Sequence, residues 1–496
     1  MKSSVLWIAV AALTFIECES SSVPADGSTT SSVDGGGGGG MNSGGNGGGS
    51  GGGSGVVPVD SGGVPDGSRV GTGPGEAGIA GTEPIAGAGA IGGVGASGGA
   101  SATGGVGATG GSAGAAAGAA GGEAGTGGGG TDETRGCDDT TLLEVPSDTS
   151  VRGPWPVGEI TVSFGSLSAV DVMYPAQPGS ETGKSPILFD VRTTLPPAEA
   201  AKIPDARASH VSVDTYADLP IDADHGPYPA VILMHGTASF RIASATTQAH
   251  WASRGFIVMA ADHPNLCLKD MIALCATVIP LSPLTLSTDI DAEIAALQNP
   301  SGSLSFLAGH VDTTRIALAG HSAGAYAVAQ YSNKPNVQMV ILLSGTMPVA
   351  PSVSLKSVLF VSGLDDLVLP YEFGIGLGTI LYGGPQMLAY EGSPTPKRIL
   401  GITGGGHLAV TDLCQTNANG ETPMDVMLDP TVGVGCVGIL PLLFDCGTIN
   451  WKTGVDIVSD ITVAALEETL HCKDRSSAIS SIASRHPEVG DLRESL

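Results

Sequence analysis

Between residues 230 and 402 the chain carries six mainly apolar runs in which hydrophobic and polar residues do not alternate. They are Ala230–Met234, Phe256–Ala260, Arg315–Ala319, Met339–Leu343, Val358–Val361 and Arg398–Ile402. A strand with one wet face reads with a period of two, so unbroken runs predict strands covered on both faces, as in a parallel sheet. Helix-like segments separate them at Ala243–Arg254, Asp289–Leu297 and Ser322–Ser332, and Val455–Leu470 closes the series. Parallel neighbours need long crossovers, so this order predicts a doubly wound α/β domain with helices on both faces of the sheet. Ahead of it, Glu159–Phe164 and Ala169–Tyr174 are expected to be antiparallel strands that open the sheet. Two connections, Asn265–Leu286 and Tyr371–Pro396, are long and apolar. Loops of that size in a compact domain usually have a role, and these are expected to overhang the carboxyl edge of the sheet, where ligands bind.

The rest of the chain is a different material. Of 77 glycines, 46 fall in residues 1–136, while the 360 residues that follow hold 31. The tract has neither the strict three-residue period of collagen nor the aspartates of a calcium-binding β-helix repeat. Residues 19–136 contain almost no large apolar side chain and cannot bury enough surface to offset the entropy of ordering them, which predicts a disordered tether. Its typical end-to-end distance is about 60 Å. Residues 1–18 read as a signal peptide: Lys2 precedes an apolar run from Val5 to Ile16, too short to span a membrane. Cys18 stands where a bacterial lipoprotein carries its lipidated cysteine, yet Glu17 is larger than the small residue usual before that site. Lipidation and ordinary cleavage after Ser20 both stay open. The expected product is exported, either secreted or held at the membrane or cell wall through its N-terminus.

Lys and Arg number 21 against 48 Asp and Glu, and residues 137–496 alone hold 18 against 37. A phosphate backbone needs a basic surface, so nucleic acid is not an expected partner. Seven cysteines follow Cys18, and in an exported protein they are expected to form structural disulfides. No CxxC pair suggests zinc. The locally plausible pairs are Cys267 with Cys275 and Cys436 with Cys446, and the odd count leaves at least one thiol unpaired.

Reactive chemistry is indicated where Arg315-Ile-Ala-Leu-Ala runs into Gly320-His321-Ser322-Ala323-Gly324 and a helix start. The Gly-x-Ser-x-Gly pattern alone means little, since the tether repeats it around Ser50, Ser97 and Ser112. The preceding strand and following helix set Ser322 apart, because a nucleophile on such a strained turn lifts its hydroxyl out of the sheet. A serine hydroxyl needs an adjacent base, and the base an anionic orienter. Asp366 follows the run Val358–Val361, three residues after Gly363, with Asp365 as the alternative carboxylate. His407 follows the run Arg398–Ile402 on a glycine-rich loop. The order Ser322, Asp366, His407 is the one expected for this topology. His321 is expected to pack beside the turn in a structural role. Two backbone N–H groups can face the developing oxyanion: Ala323, just after the serine, and Thr237, in the loop His235-Gly236-Thr237 that follows Ala230–Met234.

With these residues in view, residues 153–472 resemble the α/β-hydrolase superfamily, in the branch of dienelactone hydrolases, platelet-activating-factor acetylhydrolases and cutinase-like polyester hydrolases. The similarity runs through Gly226-Pro-Tyr-Pro-Ala-Val-Ile-Leu-Met-His235-Gly236, Trp251-Ala-Ser-Arg-Gly-Phe-Ile-Val-Met-Ala-Ala-Asp-His263-Pro264 and the serine turn. It implies an α/β-hydrolase catalytic domain at 137–496 with Ser322 as nucleophile, Asp366 as acid, His407 as base, and Thr237 and Ala323 as oxyanion donors. The implied activity is hydrolysis of a small-molecule or lipid ester with no metal or organic cofactor. Against the branch, Ser322 excludes the cysteine nucleophile of dienelactone hydrolases proper, and the segment Ser344–Met347 lacks the carboxylate of plasma-type acetylhydrolases. A non-catalytic binding module on a stalk is the competing expectation.

Overall fold

The computed structural model describes residues 137, 141–275, 284–372, 384–435, 437–438 and 440–496. The expected signal peptide, Cys18, the glycine-rich tether and Cys436 lie outside the described residues, as do parts of both long connections.

In chain order the strands are β1 (Val157–Phe164), β2 (Leu167–Pro175), β3 (Phe189–Asp190), β4 (His210–Val211), β5 (Thr215–Ala217), β6 (Tyr228–Met234), β7 (Ile257–Ala261), β8 (Val311–His321), β9 (Val337–Leu343), β10 (Ser357–Gly363), β11 (Lys397–Ile402) and β12 (Val489–Ser495). Among the described residues β3 and β4 form a separate ribbon, and the other ten build one sheet in the order β12-β11-β10-β9-β8-β6-β7-β2-β1-β5. From β7 to β11 every neighbouring pair is parallel. Strand β2 runs antiparallel to both β1 and β7, and β12 antiparallel to β11. This is the mostly parallel α/β sheet that the alternation of apolar runs and helices predicts, in the α/β-hydrolase arrangement that the resemblance implies.

The unbroken runs have a simple cause. In β6, Val231 and Leu233 enter one core with the helices Ala245–Ser253 and Trp451–Leu470, while Ala230, Ile232 and Met234 enter a second core with the helices Leu284–Gln298 and Ala323–Gln330. Successive side chains of a strand point to opposite faces, and here both faces are dry. Every residue of β6, β7, β10 and β11 is buried. Truncating one of these, for example Ile232→Ala, costs about 2–5 kcal/mol by lost transfer energy plus the cavity left behind.

The chain goes from β6 to β7 on one side, then crosses back to lay β8 on the other side of β6. That reversal opens a crevice beyond the carboxyl ends of β6 and β8, the usual ligand position in such sheets.

Arg254 lies fully buried, bonded to Glu467 at 2.6 Å and to the carbonyls of Pro146, Asp148 and Val151. A buried pair is tolerated only when the remaining donors are also satisfied, as they are here. The result anchors residues 146–151 to the last long helix, close to the Cys137–Cys472 disulfide.

The disulfides correct the local pairing expected from spacing. Cys414 bonds Cys446, Cys275 is also disulfide-bonded, and Cys267 is a buried free thiol. Cys267 caps the six-residue helix Leu268–Ala273, and Cys275 lies beyond its far end. That helix alone spans about 9 Å, more than a disulfide can bridge. Cys446 turns instead toward Cys414, with their Cα atoms 5.8 Å apart.

Candidate active site

Strand β8 ends at His321, and the next residue, Ser322, takes φ 53° and ψ −114° before the helix Ala323–Gln330 begins. A non-glycine residue there costs about 1–3 kcal/mol and persists only when its surroundings hold it. The Ser322 N–H donates to the Leu343 carbonyl at 3.0 Å, and the Ser322 carbonyl accepts from the Tyr326 N–H at 3.0 Å. The flanking glycines are steric necessities. A Cβ on Gly320 would lie 2.4 Å from the Gly324 backbone, and one on Gly324 would lie 2.2 Å from the Met234 carbonyl oxygen.

Asp366 follows β10 and is buried. Its Oδ1 accepts the N–H groups of Val368 at 2.9 Å and Leu369 at 2.7 Å. Its Oδ2 accepts His407 Nδ1–H at 2.9 Å and Gln386 Nε2–H at 3.2 Å. Four donors therefore fix the carboxylate, and its bond to Nδ1 leaves His407 Nε2 as the ring's free acceptor. The neighbouring Asp365 is exposed, and its N–H donates to the Gly405 carbonyl. Gln386 is a member of this cluster that the sequence reading missed: it also donates to the Leu369 carbonyl at 2.5 Å and accepts from Ser362 Oγ. Its only sequence signal is a helix start after Pro385.

The loop after β6 presses against the serine turn. A Cβ on Gly236 would lie 2.8 Å from His321 Nδ1 and 3.1 Å from Ser322 Cβ. Among the described residues neither the Thr237 N–H nor the Ala323 N–H donates to another group, whereas the Ala238 N–H is bonded to the Leu266 carbonyl at 2.8 Å. His235 fixes this loop from both ring nitrogens: Nδ1–H donates to the Gly236 carbonyl at 2.7 Å and Nε2 accepts the His263 N–H at 3.0 Å. Burial, reinforced by His263, pushes the His235 pKa down to about 3, consistent with a neutral ring that donates once and accepts once. His321 behaves similarly. Burial and then the neighbouring His407 lower its pKa to about 3, and its Nε2 donates to the His407 carbonyl at 3.1 Å.

Ser322, His407 and Thr237 line one cavity whose other walls are mainly apolar, built from Phe240, Leu268, Leu413, Met424, Met427, Leu440 and Phe444. Among the described residues of the first connection Leu268 lines this cavity while Met271 and Ile272 are buried in the core, and Met387 and Tyr390 of the second join the core on the other side of the sheet from the helix Trp451–Leu470. Residues 276–283 and 373–383 lie outside the described residues. Among the described residues most of the apolar wall comes from the stretch between His407 and Trp451, clasped by Cys414–Cys446. Among the described residues no cluster of His, Cys, Asp or Glu is arranged to hold a metal ion.

No family model and no curated protein matches the sequence. Among solved structures, a ferulic acid esterase from Streptomyces cinnamoneus is similar at 19% identity over 69% of this chain and 96% of that one, with a TM-score of 0.49.

Proposed function

We propose that the chain is an exported serine carboxylic-ester hydrolase working through an acyl-enzyme. The observation that carries this reading is the 2.9 Å bond from His407 Nδ1 to Asp366, in a cavity that His407 shares with a serine held at φ 53°. Ser322 Oγ attacks the ester carbonyl while His407 Nε2 takes its proton. Asp366 keeps the ring oriented and stabilises the imidazolium. The Thr237 and Ala323 N–H groups receive the oxyanion of the tetrahedral intermediate. His407 then returns the proton to the departing alcohol, and the reverse sequence with water releases the acid and restores Ser322. This chemistry uses no metal or organic cofactor.

The apolar wall supports a short-to-medium acyl group or a lipid ester as substrate, and a polyester or acetyl ester of the kind handled by the resembling branch would use the same machinery. The N-terminal reading supports export, to a secreted product or one held at the cell envelope through its N-terminus. Hydrolysis of p-nitrophenyl butyrate by the wild type and by Ser322→Ala tests the proposal. Equal rates in the two folded proteins would reject it and leave the binding-module reading.

A further inference from the structure

Asp445 touches both loops that carry the proposed catalytic base and acid. Its Oδ2 accepts the Leu367 N–H at 3.0 Å and the His407 N–H at 3.3 Å, and its Oδ1 accepts the Gly447 N–H at 3.2 Å. One carboxylate oxygen thus bridges the backbone next to Asp366 and the backbone of His407 itself. The fit is close: a Cβ on Gly406 would lie 2.5 Å from Asp445 Oδ1. Main-chain bonds tighten the same seam, from the Leu408 N–H to the Asp445 carbonyl at 2.7 Å and from the Ile449 N–H to the Gly404 carbonyl at 3.0 Å. Immediately before Asp445 comes Phe444, which lines the cavity, and immediately after it Cys446, bonded to Cys414 beside the cavity residue Leu413.

We infer that Asp445 is a positioning residue for the proposed reaction: it holds the His407 loop in register with the Asp366 loop and fixes both to the apolar wall through its place in the disulfide-closed segment. The inference rests on the esterase reading. An Asx turn onto Gly447 alone would need only Oδ1; the second oxygen, shared by two loops, is what a positioning role requires. Without it, two backbone N–H groups lose their acceptor, and the Nδ1 to Oδ2 geometry rests on the loops' own stiffness. A base displaced by an ångström loses much of its effect.

The test compares wild type, Asp445→Ala, Asp445→Asn and Ser322→Ala on p-nitrophenyl butyrate, with competent sites counted by titration with a p-nitrophenyl phosphonate. Asp445→Ala is expected to lower kcat per titrated site about 10- to 100-fold with KM little changed. Asp445→Asn keeps an oxygen for the Leu367 and His407 N–H groups and is expected to restore most of that loss. Wild-type kcat per titrated site in Asp445→Ala, or an Asn variant as impaired as the Ala variant, overturns the inference while the esterase reading stands. Undiminished hydrolysis by Ser322→Ala overturns both.

Discussion

His321 Nε2 donates to the main-chain carbonyl of His407 at 3.1 Å, and the two rings lie 4.9 Å apart. The residue before the proposed nucleophile therefore holds the backbone of the proposed base, although the two are far apart in sequence. His321→Leu removes one of two donors to that buried carbonyl, the other being Ser344 Oγ–H at 3.3 Å, an expected loss of about 0.5–1.5 kcal/mol in unfolding free energy. Urea denaturation measures it. An unchanged midpoint would show that the bond adds nothing to the stability of this seam.

The two adjacent carboxylates make opposite predictions. Asp366→Asn replaces one acceptor oxygen of the group that orients His407 and is expected to lower kcat about 10³- to 10⁴-fold. Asp365→Asn, at an exposed position, is expected to change kcat little. Steady-state kinetics with one soluble ester decides between them, and the reverse order would move the acid by one residue.

Burial, and then the neighbouring Asp171, raise the pKa of Glu159 from 4.5 to about 8, and among the described residues its Oε2 has no hydrogen-bond partner. Between those two values the folded chain keeps a proton that the unfolded chain releases. Stability therefore falls as pH rises through that window, by up to about 1.4 kcal/mol per pH unit for this group. Glu159→Gln removes the titration and is expected to be more stable than wild type at pH 8, with little difference at pH 4. Thermal unfolding at the two pH values checks this, and parallel pH profiles would contradict it.

The apolar wall predicts a preference for acyl length. If acyl methylenes bury against Met424, Met427 and Leu440, kcat/KM should rise from acetyl through butyryl toward octanoyl, by up to about 0.8 kcal/mol per methylene. Met427→Ala should flatten that rise while leaving acetyl turnover nearly intact. A p-nitrophenyl ester series reads both effects. A profile that peaks at acetyl and drops at once would favour a short-chain acetylesterase.

What the sequence made legible follows from how local each signal is. The six central strands show as unbroken apolar runs because both of their faces are buried, and the loops of Ser322, Asp366 and His407 follow three of those runs directly. Strand β12 is different. Its residues Gly490-Asp-Leu-Arg-Glu-Ser are mainly polar and hold no unbroken apolar run, and the strand forms by pairing with β11, Arg493 opposite Ile399, and through the Arg398–Glu494 ion pair. The cavity wall was hidden for a related reason. Leu413, Met427 and Phe444 converge through a disulfide spanning 32 positions and through backbone bonds to the His407 loop, none of which leaves a periodic trace. Asp445 and Gln386 are single polar residues whose roles exist only once distant loops meet.

On the proposed mechanism Ser322 forms a covalent acyl intermediate. The most direct measurement is mass spectrometry of the intact domain after incubation with a p-nitrophenyl phosphonate, followed by peptide mapping. One adduct per chain is expected, on Ser322, appearing together with loss of ester hydrolysis and absent from Ser322→Ala. Inactivation with the label on another residue, or ester turnover that survives complete labelling of Ser322, would contradict it.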